Sequence, residues 1–488
     1  MAMAAWSLDM PWSAVLIMLP LAAAMLGFVF PGRAKVLGLA TSVLVVFAVV
    51  GLGYRIYLHG ALQHSIGGWG APLGIELYAD GLSLAMLAIT ALLGLAVSVY
   101  STAYFDRRQA TRFWPLWMFL LAALNALFLS ADIFNLYVTL ELMGLSAVAL
   151  VAQAGYREAL TGAMRYLLAA LLGSLLYLLG VALLYQGFGT LDLAMLEARV
   201  TPVPVVWAAL GAVTVGMLLK TALFPLHFWL PSAHTAAPSP VSALLSGLVV
   251  KASFYILVRY WVGVFGDLDT AVDTMLGLLG AIAVVWGSLQ ALRQQRLKLL
   301  VAYSTVAQIG YLFLAFPLVA AGATMAWQAV VYLALSHALA KGGLFLAVGN
   351  LQRFEGHDRI LDFDRVVQRL PLTAGAIALA GASIMGLPPS GGFIGKWLLL
   401  EAALLQQRWD LVMVILLGGL LAAAYIFKIL GYAFTPASGP QPTHSVPRRM
   451  EWAALSLGFA AVVMGFLAMP VLILLGIGAP FDSGWSGP

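Results

Sequence analysis

The sequence predicts an all-α, polytopic membrane protein of about fourteen transmembrane helices, with breaks inside the seventh and twelfth. Three observations lead there: the composition, the length of the apolar runs and the sorting of charge between their connections. Of 488 residues, 62% are hydrophobic and only 9% are charged, against roughly 25% charged in a soluble domain. Such a chain cannot cover itself with a wet surface, so the bilayer must be its solvent. The uniform composition predicts one membrane domain over 1–488.

A helical span needs about 20 apolar residues. Fourteen runs qualify, at 11–31, 35–57, 78–104, 112–131, 133–154, 160–187, 203–231, 237–263, 270–292, 298–320, 324–350, 371–405, 410–434 and 452–478. They are continuous rather than alternating, which excludes transmembrane strands. The first run has no basic leader and no cleavage site, so it reads as a retained span and not a signal peptide.

Charge tests the count. If odd-to-even connections share a side, that side holds Arg33, Lys35, Arg107, Arg108, Arg112, Arg157, Arg165, Arg293, Arg296, Lys298, Arg353, Arg359, Arg365, Arg369, Arg448 and Arg449. The other holds Arg55, Arg199, Arg259 and Arg408, and collects Asp9, Glu76, Asp80, Asp132, Asp192, Glu197, Asp267, Asp269, Asp273, Asp410 and Asp482. A miscounted helix would scramble this sorting. The positive-inside rule then puts both termini outside the cytoplasm. The net charge of +5 is thus a matter of orientation and not of nucleic-acid binding. The absence of cysteine excludes cysteine-ligated clusters, thiolate zinc and disulfides.

Some charge stays inside the spans. Lys220, Lys251, Lys341, Lys396, Lys428 and Glu141 fall within apolar runs, where a charge costs at least ~2.5–3.5 kcal/mol. Lys428 lies within snorkelling reach of the arginine-rich surface, and Glu401 near the other end of its span, so both read as anchors. The deeper residues have a chemical reason to be lysine. A desolvated lysine gives up its proton readily and a nearby carboxylate restores it, whereas arginine stays protonated. Every deep basic residue is lysine, while 14 of the 16 on the arginine-rich side are arginine. His227, His234 and His337 extend the string, since histidine exchanges protons near neutrality. His337 and Lys341, spaced i, i+4, share a helix face. A carboxylate could titrate at position 396 as well, so Lys396→Glu is expected to keep partial function.

Two spans carry breakers: 220–231 with Pro225 and Pro231, and 386–396 with Pro388 and Pro389. Proline breaks the helical ladder, and open backbone at membrane depth must be buried in protein or line a wet cavity. Each break has a lysine beside it. Paired broken helices point to inverted repeats, each with an ion site. The repeats would be 112–263, helices 4–8, and 270–434, helices 9–13.

DIFNLYVTLE (132–141), KTALFPLHFWLPSAHTAAPSPVSALLSGLVVK (220–251), SHALAKGGLFL (336–346) and GLPPSGGFIGK (386–396) together resemble the antiporter-like proton-translocating subunits. This family is shared by complex I, membrane-bound hydrogenases and Mrp sodium/proton antiporters. DIFNLYVTLE and the compact length look most like the Mrp D subunit. The resemblance implies two inverted five-helix repeats and a mid-membrane polar line. In that line Glu141 pairs with Lys220, Lys251 bridges to the second half, His337 and Lys341 continue, and Lys396 exchanges protons near the exit. One departure is LPSAH (230–234), where many members have LPDAH; a charge role at Ser232 is therefore in doubt.

The expected function is that of a proton-translocating subunit of a multisubunit membrane complex, best matched by a Mrp-type sodium/proton antiporter. The alternative is the pumping subunit of a complex I-like NADH:quinone oxidoreductase or a hydrogenase. No catalytic or redox centre, cofactor or metal site is expected in this chain. Expected partners are other membrane subunits, including another antiporter-like subunit and small helical ones, the lipid bilayer, and protons, with sodium as a further candidate ion; nucleic acid is not expected. The setting would be a bacterial or archaeal inner membrane. A transporter of larger solutes and a pure scaffold are the competing readings.

Overall fold

The computed structural model describes residues 10–266, 268, 271–323, 325–364, 366–435 and 444–478. Asp9, Asp267, Asp269, Arg365 and Asp482 from the charge sorting, and 436–443 of the loop before the last span, lie outside them. The spans are α1 (Trp12–Val29), α2 (Ala34–His59), α3 (Gly81–Tyr104), α4 (Arg107–Leu129), α5 (Ile133–Ala152), α6 (Arg157–Phe188), α7a (Pro204–Thr221) and α7b (Trp229–Ala236). They continue as α8 (Ser239–Val264), α9 (Ala271–Arg293), α10 (Leu297–Ala320), α11 (Met325–Glu355), α12a (Pro371–Met385), α12b (Gly391–Leu405), α13 (Trp409–Ala433) and α14 (Arg448–Leu475). Thirteen described helices are long and apolar enough to cross a membrane, and α12a with α12b supply the fourteenth span.

Side-chain caps start several of these helices. Asp80 accepts from Ser83 N before α3, Asp106 and Gln109 form a capping box at α4, Asp132 accepts from Asn135 N at α5, and Ser390 accepts from Phe393 N at α12b. Each satisfies a backbone N–H that a helix start leaves open. At the other end of α3, Lys35 Nζ and Arg353 Nη1 each donate 3.0 Å to the carbonyls of Thr102 and Ala103. Cations at a helix C-terminus are favourable, so basic residues of this face also tie helices together.

Loops of like parity meet. Isolated bridges join Leu77 to Ser130, Asp132 to Asp192, and Arg296 to Arg359, as alternating spans require. One feature outside the sequence reading is a short antiparallel hairpin, Leu62–Ser65 with Glu76–Ala79, in the loop after α2. Its first strand lies beyond the apolar runs and its second takes the first two residues of the 78–104 run, so that α3 starts only at Gly81.

The helices are unevenly buried. α8 and α11 are wholly enclosed and α10 nearly so, while α1, α2, α13 and α14 form the rim. A helix apolar all round belongs inside, and these central helices carry Lys251, His337 and Lys341. Two π-helical segments, Leu245–Val249 and Tyr260–Val264, interrupt α8; such insertions often mark functional sites.

Candidate functional site

Six ionisable side chains, Glu141, Lys220, Lys251, His337, Lys341 and Lys396, stand buried or partly buried within the spans. At one end Lys220, in the last turn of α7a, faces Glu141 of α5 across 3.7 Å. The lysine is 5% exposed and the carboxylate 22%. Close helix approach makes room for the pair: a Cβ on Gly173 of α6 would lie 2.9 Å from both Gly216 O and Lys220 Cγ. Two residues after Lys220, Ala222 adopts a left-handed conformation (φ 59°) and the helix stops.

Lys251, on α8 just beyond the first π segment, donates to Ser246 O. Ser246 Oγ lies 2.8 Å from Thr305 Oγ1 of α10, and Thr305 Oγ1 donates to Val301 O at 3.0 Å. That same carbonyl accepts from Lys341 Nζ at 2.9 Å, and Lys341 also donates to Ser304 Oγ. Polar contacts therefore lead from Lys251 to Lys341, through the carbonyl and the hydroxyl of Ser246 at one end and the shared acceptor Val301 O at the other. One turn along α10 from Ser304, Gln308 Nε2 donates to Ile384 O at 3.5 Å. Lys396 Nζ donates to the same oxygen at 2.7 Å. α10 thus supplies a polar ledge, Ser304, Thr305 and Gln308, joining three lysines that stand on three other helices.

Lys396 is held differently from Lys220. It has left the break behind and reaches back to the final carbonyls of α12a, Ile384 and Met385 (3.4 Å), with its ammonium 4.7 Å above the Tyr311 ring. Both the exposed carbonyls and the ring face favour a cation. A carboxylate at this position would meet two features of its own sign, which argues against the partial function expected of Lys396→Glu.

The histidines divide. His337, one turn from Lys341 on α11, is buried, and no protein group among the described residues bonds either ring nitrogen. It lies within Coulombic reach of Lys251, Lys341 and Lys396. His234 of α7b is likewise buried, stacks on Phe345 at 4.7 Å, and feels Lys298, Lys341 and Lys251. His227 sits half-buried in the break, stacked on Phe224 at 5.5 Å, and Phe224 leads to the exposed Trp286; it is turned toward the rim. Among the described residues, no hydrogen bond joins Lys220 to the Lys251–Lys341–Lys396 series.

Two residues that the sequence sorts only by side prove to be buried. Lys298, grouped with the arginines, is 3% exposed and donates to Ala237 O just after α7b. It walls a cavity of about 350 Å³ at the arginine-rich face, with Arg296, Tyr156, Tyr104 and Gln352. Its neighbour Arg296 pairs with Asp358 at 2.9 Å and remains outside, which is why position alone misleads. Arg259, grouped with surface charges of the other face, is buried and paired with Asp80 at 2.6 Å. Lys428 does act as an anchor, donating to Leu292 O and Gln294 O at 2.8 and 2.7 Å.

Buried lysines on an interrupted, many-helix membrane scaffold define a class of ion-handling integral membrane proteins. The family model described as NADH:quinone oxidoreductase/Mrp antiporter, transmembrane region, matches residues 130–422, and the chain belongs to that family. It is 36% identical to the N subunit of the NADH-quinone oxidoreductase of Desulforudis audaxviator, over 90% of each chain. It is 28% identical to the D subunit of the Na(+)/H(+) antiporter of Bacillus subtilis, over 93% of this chain and 91% of that one. A chain of the Mrp complex of a Dietzia species shares the fold, with a TM-score of 0.87 at 22% identity, covering 96% of this chain and 98% of that one. A chain of an archaeal membrane-bound sulfane sulfur reductase also gives 0.87, at 27% identity and 95% and 96% coverage. Complex I from Thermus thermophilus gives 0.77 at 27% identity, covering 96% and 100%.

Proposed function

We propose that this chain is a proton-translocating subunit of a multisubunit membrane complex, and that protons pass along Glu141, Lys220, Lys251, His337, Lys341 and Lys396. The observation that carries the reading is the row of polar contacts that fixes Lys251, Lys341 and Lys396 along α10, through Ser246, Thr305 and Val301 and then Gln308 and Ile384; the carbonyls in it only accept, so water would carry the proton between the lysines. Four deep lysines with, among the described residues, a single carboxylate partner would be a costly scaffold. They suit a relay, because lysine can lose and regain a proton. His234 and Lys298 stand between the series and the cavity at the arginine-rich face, which supports loading from that side. Water would complete the link from Lys220 to Lys251.

The relatives favour two settings, a Mrp-type sodium/proton antiporter and a complex I-like quinone oxidoreductase. Glu141 supports membership of an assembly in either case. It shares a face of α5 with the exposed Phe134, Val138 and Leu145, and a partly exposed carboxylate at membrane depth is best covered by another protein chain. The repeats are proposed as 112–263 and 270–434. In both halves a helix stops on a left-handed residue, Ala222 or Gly386 (φ 83°), next to a functional lysine. The arginine-rich face is proposed as cytoplasmic, which puts both termini outside, in a bacterial or archaeal inner membrane.

The test is proton flux in proteoliposomes holding the purified complex. Lys220→Ala and Glu141→Ala are expected to abolish coupled transport with assembly intact, and wild-type flux in either would overturn the reading. Mass spectrometry of the copurified chains decides between the settings.

A further inference from the structure

A buried ion pair stands between Lys251 and the arginine-poor face. Asp80 caps α3 and receives both terminal nitrogens of Arg259 at 2.6 Å. Arg259 also donates from Nε to Tyr255 Oη at 3.0 Å and from Nη2 to Ser83 Oγ at 2.9 Å, and Tyr255 Oη donates to Phe128 O at 2.7 Å. Lys251, Tyr255 and Arg259 follow at i, i+4, i+8 on α8, so they rise along one helix face. Burying an arginine and an aspartate is expensive, and apolar residues would hold two helices together as well. Their presence needs a reason beyond cohesion.

Cavities lie on both sides of the pair. Toward the arginine-poor face, one of about 180 Å³ has Arg259 in its wall with Ser130, Asp192, Ala194 and Glu197. Beside Lys251, one of about 10 Å³ is walled by Lys251, Tyr255, Met86 and Ala334; it is the size of a single water, and its apolar wall keeps it dry while the pair is closed. Arg259 walls the outer cavity, and Tyr255, which accepts from Arg259, walls the inner one. An arginine does not titrate and its positive field opposes passing cations, the device that excludes protons from water pores. We propose that the Asp80–Arg259 pair is a gate. Closed, as seen, it seals a second aqueous route from the arginine-poor face to Lys251. Parted, it joins the two cavities and gives Lys251 an exchange path separate from the exit at Lys396. The purpose of the gate rests on the relay reading of Lys251; its existence does not.

The chain has no cysteine, so a single introduced thiol is the sole target in this chain for a membrane-impermeant thiol reagent added to the arginine-poor face of the reconstituted complex. Ala194→Cys reports the outer cavity and Ala334→Cys the inner one. Ala194→Cys is expected to label quickly in every background. Ala334→Cys is expected to label at least tenfold more slowly with the pair intact, and at least tenfold faster once Asp80→Asn is added, since asparagine keeps the α3 cap while loosening Arg259. Ala307→Cys, buried in α10, must stay unlabelled, which separates local opening from unfolding. Should Asp80→Asn fail to assemble, Ser83→Ala removes one Arg259 bond and is expected to raise Ala334→Cys labelling about threefold. Equal Ala334→Cys labelling with and without the pair intact would overturn the gate. If the labelling pattern holds but Lys251→Met transports protons at the wild-type rate, the gate stands and the relay through Lys251 falls.

Discussion

Replacing Lys396 by glutamate reverses the sign of a charge that fixed features of the fold hold in place. Its Nζ lies 2.7 Å from Ile384 O, 3.4 Å from Met385 O and 4.7 Å from the centre of the Tyr311 ring. A cation at a partly buried helix C-terminus gains up to ~2 kcal/mol, and a desolvated ammonium over an aromatic face about 1–2 kcal/mol. Lysine therefore gains roughly 3 kcal/mol, and a carboxylate in its place loses a similar amount, a swing of about 6 kcal/mol. The shorter side chain can draw back from the carbonyls. Even if that halves the swing, about 3 kcal/mol remains, a factor of roughly a hundred at 1.36 kcal/mol per decade. The penalised species is the carboxylate, the form that must appear each time a proton leaves. Proton flux through proteoliposomes holding the assembled complex is expected to fall about a hundredfold in Lys396→Glu. Flux above a tenth of wild type would refute the reasoning from the helix end and the ring.

Three further outcomes follow from the same geometry. Thr305→Val deletes the hydroxyl between Ser246 and Val301 and is expected to slow proton flux about tenfold at unchanged assembly, since a lost hydrogen bond in such a network is worth about 1–2 kcal/mol; an unchanged rate would remove Thr305 from the route. Gly173→Leu forces α6 from α7a and Lys220 from Glu141, with a packing cost of about 1–3 kcal/mol; it is expected to lower both the melting temperature and the flux, and a normal melt with normal flux would contradict the contact. Burial holds the Asp192 carboxyl above its ordinary value, with Glu76 adding to the effect and backbone N–H groups opposing it. A carboxyl raised in the folded state contributes stability below its unfolded pKa, and that contribution is lost as pH rises through the folded value. Asp192→Asn keeps the cap on Met195 N, so relative to wild type it is expected to melt higher at pH 7.5 than at pH 4; a pH-independent difference would show that Asp192 titrates normally.

The parts of this fold legible in the sequence are those governed by the bilayer's large penalties. Fourteen spans, two interrupted helices and the deep lysines all announce themselves, because a charge or a proline in an apolar run has few innocent placements. Lys298 and Arg259 escape because each lies near a span end, where sequence position cannot separate a surface side chain from one turned inward. The ledge of Ser304, Thr305 and Gln308 escapes for another reason: small polar residues are common in membrane helices, and only the crossing of α10 with α8, α11 and α12a gives these three a role. The sign preference at position 396 is equally hidden. It comes from where the α12a carbonyls and the Tyr311 ring fall in space, and neither is adjacent to the lysine in the chain.

Lys341 stands in the middle of the hydrogen-bonded series, touching Val301 and Ser304 on the way from Lys251 to Lys396. Lys341→Met keeps the length of the side chain and removes its proton. Flux measured on the assembled complex in sealed vesicles should then be indistinguishable from that of empty vesicles. Wild-type flux in this variant would contradict a relay along this line.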